Sequence, residues 1–203
     1  QEVGTRSALI GGLGTFSVKG PQKDTYKFVS LITQTMNDET SRLEGVSEQE
    51  DAPVRMTQLQ FVERRLWLNQ LIGHHPSLAT DIDVDWRLNY SSAFRDQPDT
   101  RSLLYIQRNA DEPYSYRDST GSGERLFSDL NQEDYGVAAD MTYRPEALAE
   151  NEFTLKLGAL ISTGSRQFSA RRFGVRYTGT VEERTLNPNA LFSSESFADR
   201  FQF

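Results

Sequence analysis

The sequence predicts an all-β protein, an antiparallel up-and-down meander of about six long strands. Three observations carry that expectation. Apolar residues recur at every second position over long stretches, turn residues punctuate the stretches, and no convincing helices accompany them. The clearest stretch is Thr80–Phe94. Its even positions hold Ile82, Val84, Trp86, Leu88, Tyr90 and Phe94, broken only by Ser92; its odd positions hold Asp81, Asp83, Asp85, Arg87, Asn89, Ser91 and Ala93. Successive strand side chains point to opposite sides, so one face is greasy and the other wet. At roughly 3.4 Å per residue the stretch spans on the order of 50 Å. That is longer than a usual globular strand and longer than the roughly 10 residues a tilted membrane strand needs.

The other elements follow in order. Ser7–Lys19 alternates on Ala8, Ile10, Gly12, Gly14, Phe16 and Val18, with glycines that weaken a strand but let a sheet curve. Pro21-Gln22-Lys23-Asp24 is a turn. Thr25–Thr35 returns with Tyr26, Phe28 and Ile32 on one face, while Val29 and Leu31 blur the other. Met36–Met56 is polar and acidic without strand period and reads as a long loop. Leu59–Ile72 fits a strand through Leu66, Leu68 and Ile72, with Trp67 and Leu71 opposite; Leu59, Val62 and Leu66 equally fit a helix face. His74-His75-Pro76-Ser77 reads as a break.

After Phe94 the strand continues with mixed residues, through Leu103 and Tyr105, toward Arg108. Asn109–Leu130 reads as a second long loop. Glu133–Tyr143 alternates on Tyr135, Val137, Ala139, Met141 and Tyr143. Past the connection Pro145–Asn151, Phe153–Thr163 alternates on Phe153, Leu155, Leu157, Ala159 and Ile161, and Gln167–Tyr177 prolongs it. Thr178–Phe203 reads as a polar tail. Connections therefore alternate short and long, which gathers tight turns at one end of the sheet and large loops at the other. Transmembrane barrels sort their connections this way. Tyr26, Tyr143 and Phe153 beside the short turns suit an interfacial girdle.

The bulk numbers agree with half-wet strands. Of 203 residues 36% are hydrophobic and 11% aromatic, and mean hydropathy is −0.60. That is lean for a packed core but too aromatic for disorder. A net charge of −7 argues against nucleic acid, which attracts basic patches. The absence of cysteine removes disulfides, thiolate metal sites and cysteine nucleophiles. The longest mostly apolar run, Ala8–Gly14, is too short for a membrane helix. The chain opens on Gln1 without initiator Met or signal peptide and reads as an internal or processed piece spanning 1–203 of a barrel domain.

Several stretches resemble the barrel of TonB-dependent outer-membrane receptors. They are Glu44-Gly45-Val46-Ser47-Glu48-Gln49, Phe61-Val62-Glu63-Arg64 entering a strand, Phe127-Ser128-Asp129-Leu130-Asn131-Gln132-Glu133-Asp134-Tyr135-Gly136, and Ala170-Arg171-Arg172-Phe173. The resemblance implies a section of a 22-strand barrel that is closed by an N-terminal plug. It also implies the outer membrane of a Gram-negative bacterium and TonB-energised uptake of a scarce ligand such as a siderophore, cobalamin or oligosaccharide. The 203 residues show no plug and no TonB-contact segment, so those partners would be reached through other parts of the protein.

No catalytic, cofactor or metal set emerges. Asp81, Asp83 and Asp85 begin like a calcium loop but lack its Gly and terminal Glu. His74 and His75 are adjacent and diverge on a strand. Gly11-Gly12-Leu13-Gly14 lacks the rest of a dinucleotide fingerprint. Arg171-Arg172 reads as a loop-base charge pair with acidic neighbours, the alternative being that it steers an anionic ligand. The candidate lipid-facing residues are Val84, Trp86, Leu88, Tyr90, Val137, Met141, Leu155 and Leu157. The candidate lumen-facing residues are Asp83, Asp85, Arg87, Asn89, Asp140 and Lys156. The loops Met36–Met56, Asn109–Leu130 and Thr178–Phe203 would gate or bind ligand. A passive barrel without TonB coupling, or a soluble antiparallel ligand-binding module, are the alternatives.

Overall fold

A computed structural model of the chain describes residues 1–79, 81–119, 121–145, 153–191 and 201–202. Six long antiparallel strands run up and down in chain order: β1 (Glu2–Lys19), β2 (Thr25–Ser47), β3 (Ala52–Ala79), β4 (Ile82–Ile106), β6 (Glu124–Tyr143) and β7 (Leu155–Gly174). A short β5 (Ser115–Tyr116) pairs with the end of β4. β8 (Arg176–Tyr177) and β9 (Phe201–Gln202) form a separate ribbon. The sheet is open, in the order β1-β2-β3-β4-β6-β7. Its edge strands β1 and β7 are exposed along their whole lengths. Leu59–Ile72 is strand, not helix.

The strands are longer than the apolar periodicity suggests, with 28 residues in β3 and 25 in β4. Met36–Met56 is not a loop. Both strands run through it in continuous register to Ser47↔Ala52, and residues 48–51 close the hairpin. Period-two hydropathy reports contrast in burial, not the backbone, and here both faces are polar. Cross-strand polar pairs hold the ribbon instead: Gln34 Nε2 donates to Glu63 Oε1 at 2.8 Å, and Arg55 Nε to Glu44 Oε1 at 2.6 Å. His74 and His75 are likewise not a break. They pair with Asp85 and Val84 inside the ladder; the register is interrupted after them, at residues 76–78, before β3 ends at Ala79.

The expected sorting of connections is not what the fold shows. One rim carries 20–24, 80–81 and the longer 144–154, of which 146–152 lie outside the described residues; the other carries the tight 48–51 and the long 107–123. The second long loop is shorter than Asn109–Leu130, because β6 begins at Glu124. Its residues fold back as β5. The tail Thr178–Phe203 is not merely polar either: Leu191 and Phe201 are buried and Leu186 packs on the same cluster, with Leu103, Tyr105, Tyr116, Val175 and Tyr177. A short helix, α1 (Pro188–Leu191), and a 3-10 turn at Glu182–Thr185 supply part of this lobe. Tyr105 donates its hydroxyl to Leu186 O at 2.9 Å, and burial pushes its ionisation upward.

Two local features fix the geometry of β4. Pro98 and Asp99 stand in a bulge where the register against β6 shifts between Gln97 and Thr100, a place where a strand tolerates proline. Burial alone would raise the Asp99 carboxyl, but hydrogen bonds from Arg125 (Nε 2.9 Å, Nη2 2.7 Å) and Arg101 (Nε 2.7 Å) outweigh it and hold the carboxyl below its ordinary value. A depressed carboxyl contributes stability that is complete above its unfolded value near about 4 and drains as pH falls through the lowered value. Asp99→Asn should cost about 1–3 kcal/mol at neutral pH. That difference should shrink in strong acid, as denaturant titrations at the two pH values will show.

The second feature is the approach of Trp86 to Gly73, its ladder partner. A Cβ built on Gly73 would lie 2.2 Å from the indole, so the ring lies flat over bare backbone, an arrangement that protects a glycine in a sheet. Gly73→Ala should lift the ring off the sheet. A shift in Trp86 fluorescence, read in a Trp67→Phe background, checks this.

Candidate functional site

The register sorts every strand residue onto one of two faces. Val84, Trp86, Leu88 and Tyr90 of β4, Val137 and Met141 of β6, and Leu155 and Leu157 of β7 all share one face. Trp67 and Leu71 of β3, Tyr26, Phe28 and Ile32 of β2, and Ile10, Phe16 and Val18 of β1 join them. One row crosses the whole sheet without a polar residue: Phe16, Phe28, Leu71, Leu88, Val137 and Ile161, each paired with the next. All six are at least 37% exposed. Apart from β5 and the distal lobe, the elements in contact are neighbours in the sheet. No second layer covers this face among the described residues.

The apolar band occupies only part of each strand, and it slants. Its distal limit is Ile10 on β1, Ile32 on β2, Trp67 on β3, Tyr90 on β4, Tyr135 on β6 and Ile161 on β7, with the hydrogen-bonded pair Ser30 and Asn69 standing inside it on β2 and β3. Followed through the ladder, that limit drops by about one residue per strand, and the limit at the turn end, from Val18 to Leu155, drops alike. Aromatic groups mark both margins. Trp67 meets Tyr90 at 6.1 Å and Tyr90 meets Tyr135 at 5.1 Å. On the turn side Tyr26, His75 and Trp86 cluster, with Trp86 Nε1 donating to His75 Nε2 at 2.9 Å. Beyond the band, Phe94 lies under the Arg65 guanidinium at 4.5 Å. Nothing in the sequence alone disclosed His75 as a member of this margin, because it looked like part of a turn.

Asp83, Asp85, Arg87, Asn89, Asp140 and Lys156 share the opposite face. Most are linked across strands. Asp85 meets His74 at 2.7 Å, Arg87 Nη2 donates to Asp140 Oδ2 at 3.2 Å, and Gln70 Nε2 donates to Asn89 Oδ1 at 2.7 Å; Arg144 pairs with Asp83. Asp81, by contrast, sits in the turn with φ 64°. This face is not polar throughout. Val29 and Leu31 of β2 and Leu66, Leu68 and Ile72 of β3 lie on it. Those five are half-buried, whereas the apolar chains of the band on the same strands, Phe28, Ile32, Trp67 and Leu71, are more exposed. Side chains crowd on the concave side of a curved sheet and splay on the convex side, and the difference has that sense.

Among the described residues no group of acidic or histidine side chains is placed to hold a metal ion. Arg171 and Arg172 stand on β7, and Arg172 reaches Glu124 at 3.8 Å. Compared with known proteins, the chain matches no family model and no curated sequence.

Proposed function

We propose that this sheet is a section of the wall of a transmembrane β-barrel, and that the barrel is that of a TonB-dependent outer-membrane receptor for a scarce ligand. The slanted apolar band is the observation that carries the barrel. A membrane cuts a barrel horizontally while its strands tilt, so lipid-facing residues must step along the ladder from strand to strand. A step of about one residue, at roughly 3.4 Å rise and 4.8 Å spacing, corresponds to a tilt of about 35–40°. Barrel strands tilt by about that much. A soluble sheet covered by a second layer has no cause to slant its apolar residues by this angle.

The long exposed edges of β1 and β7 fit the same reading. In lipid every backbone donor and acceptor needs a partner, so the edges continue into further strands of a closed wall. The band faces lipid, the aromatic margins sit at the two interfaces, and the opposite face, with Asp83, Asp85, Arg87, Asn89, Asp140 and Lys156, lines the interior and meets water and a plug. The TonB part rests on the resemblance of Glu44–Gln49, Phe61–Arg64, Phe127–Gly136 and Ala170–Phe173. Expressed from its full reading frame, the protein should fractionate with the outer membrane and cross-link to TonB in cells. Recovery from the soluble fraction overturns the barrel. Outer-membrane residence without a TonB cross-link leaves a passive barrel.

A further inference from the structure

On the inward face, beyond the band, two arginines stand directly opposite each other. Arg64 of β3 pairs in register with Arg95 of β4. Like charges in facing positions repel and destabilise a sheet. Neither takes part in an ion pair among the described residues. The nearest acidic ladder partners, Glu63 and Asp96, belong to the other face of the sheet and cannot reach these guanidinium groups.

Arg95 is also held in place. Its Nη2 donates to Gln97 Oε1 at 2.9 Å. Gln97 is itself buried, donating to Thr100 Oγ1 at 2.6 Å and accepting from Ser128 Oγ at 3.3 Å. The Nε of Arg95 is buried with no hydrogen-bond partner. A guanidinium fixed at one corner by Gln97, with a second arginine as its ladder partner on the same face, has the form of an anion receptor. Its planar fork matches a carboxylate or phosphate.

We propose that Arg64 and Arg95 form an anion-binding site on the inward face, and that the ligand taken up carries clustered carboxylate or phosphate groups. The identity of this anion as cargo rests on the uptake reading; the site itself rests only on the two side chains. An anion bridging the pair turns their repulsion into attraction, which is a reason for two unscreened arginines to face each other.

Citrate and pyrophosphate serve as probes, titrated calorimetrically at low salt into the folded protein. At least one should bind, more weakly as salt rises. Affinity should fall at least tenfold in Arg64→Gln and in Arg95→Gln but stay unchanged in Arg171→Gln on the opposite face. Binding of citrate alone identifies a carboxylate ligand, and of pyrophosphate alone a phosphate ligand. A second measurement needs no variant: the bound probe should protect Arg64 and Arg95 from phenylglyoxal, read by peptide mass mapping. Absence of binding, or binding without protection of these two residues, overturns the site. Anion binding by a protein that never enters the outer membrane keeps the site and removes the uptake reading; outer-membrane residence without anion binding does the reverse.

Discussion

Replacing Leu88 by Arg in the membrane-folded protein should lower stability by about 2–4 kcal/mol, whereas the same change at the adjacent Asn89 should cost no more than about 0.5 kcal/mol. Leu88 stands in the middle of the unbroken apolar row, paired with Leu71 on one side and Val137 on the other. In lipid a guanidinium there has no water and no partner, and its long stem has far to reach toward either interface. Asn89 points the other way, hydrogen-bonded to Gln70, on a face that tolerates charge: Arg87 and Asp140 already meet there. Denaturant unfolding from lipid vesicles measures both variants. Equal losses would mean that both faces meet the same solvent, and the two-faced account would be wrong.

Truncating Tyr116 to Ala should cost about 3–5 kcal/mol in the distal lobe. Its side chain is 1% exposed. It packs against Tyr105 at 6.0 Å, Tyr177 at 5.8 Å and Phe201 at 5.9 Å between ring centres. These contacts tie the 107–123 connection to the segment after β7, so the loss should appear as faster proteolysis at both places. The strand ladder through the band should remain intact. Tyr116→Phe keeps the ring and should cost much less, which separates packing from hydroxyl bonding. Burial raises the ionisation of both Tyr105 and Tyr116, so the lobe's stability should be complete below about pH 10, where unfolded tyrosine ionises, and should drain as pH rises beyond it.

The band was legible because contrast between faces is what periodicity detects. Ile82–Tyr90, Tyr135–Tyr143 and Leu155–Ile161 could be assigned to faces from spacing alone, and the register confirms that they share one. The distal halves of β2 and β3 could not be read that way, since residues such as Asp38, Glu39, Gln58 and Gln60 present polar groups to both sides. Their ladder depends on pairing partners far along the chain. The same blindness turned a hairpin into a loop and produced an ordering of connections that the fold does not have. The segment Leu59–Ile72 gave an ambiguous signal for a physical reason too: β3 carries apolar residues on both faces. The slant of the band and the Arg64–Arg95 pair needed the register, because each is a relation between strands.

The most direct test uses the absence of native cysteine from these 203 residues. Single cysteines placed in turn at positions 82 to 90 can be probed in intact outer membranes with a water-soluble maleimide and with a lipid-soluble one. Cysteines at 82, 84, 86, 88 and 90 should react only with the lipid-soluble reagent, and those at 83, 85, 87 and 89 with the water-soluble one. A run of labelling without that two-residue alternation, or water-soluble labelling at 86 and 88, would contradict the claim that this face of the sheet meets lipid.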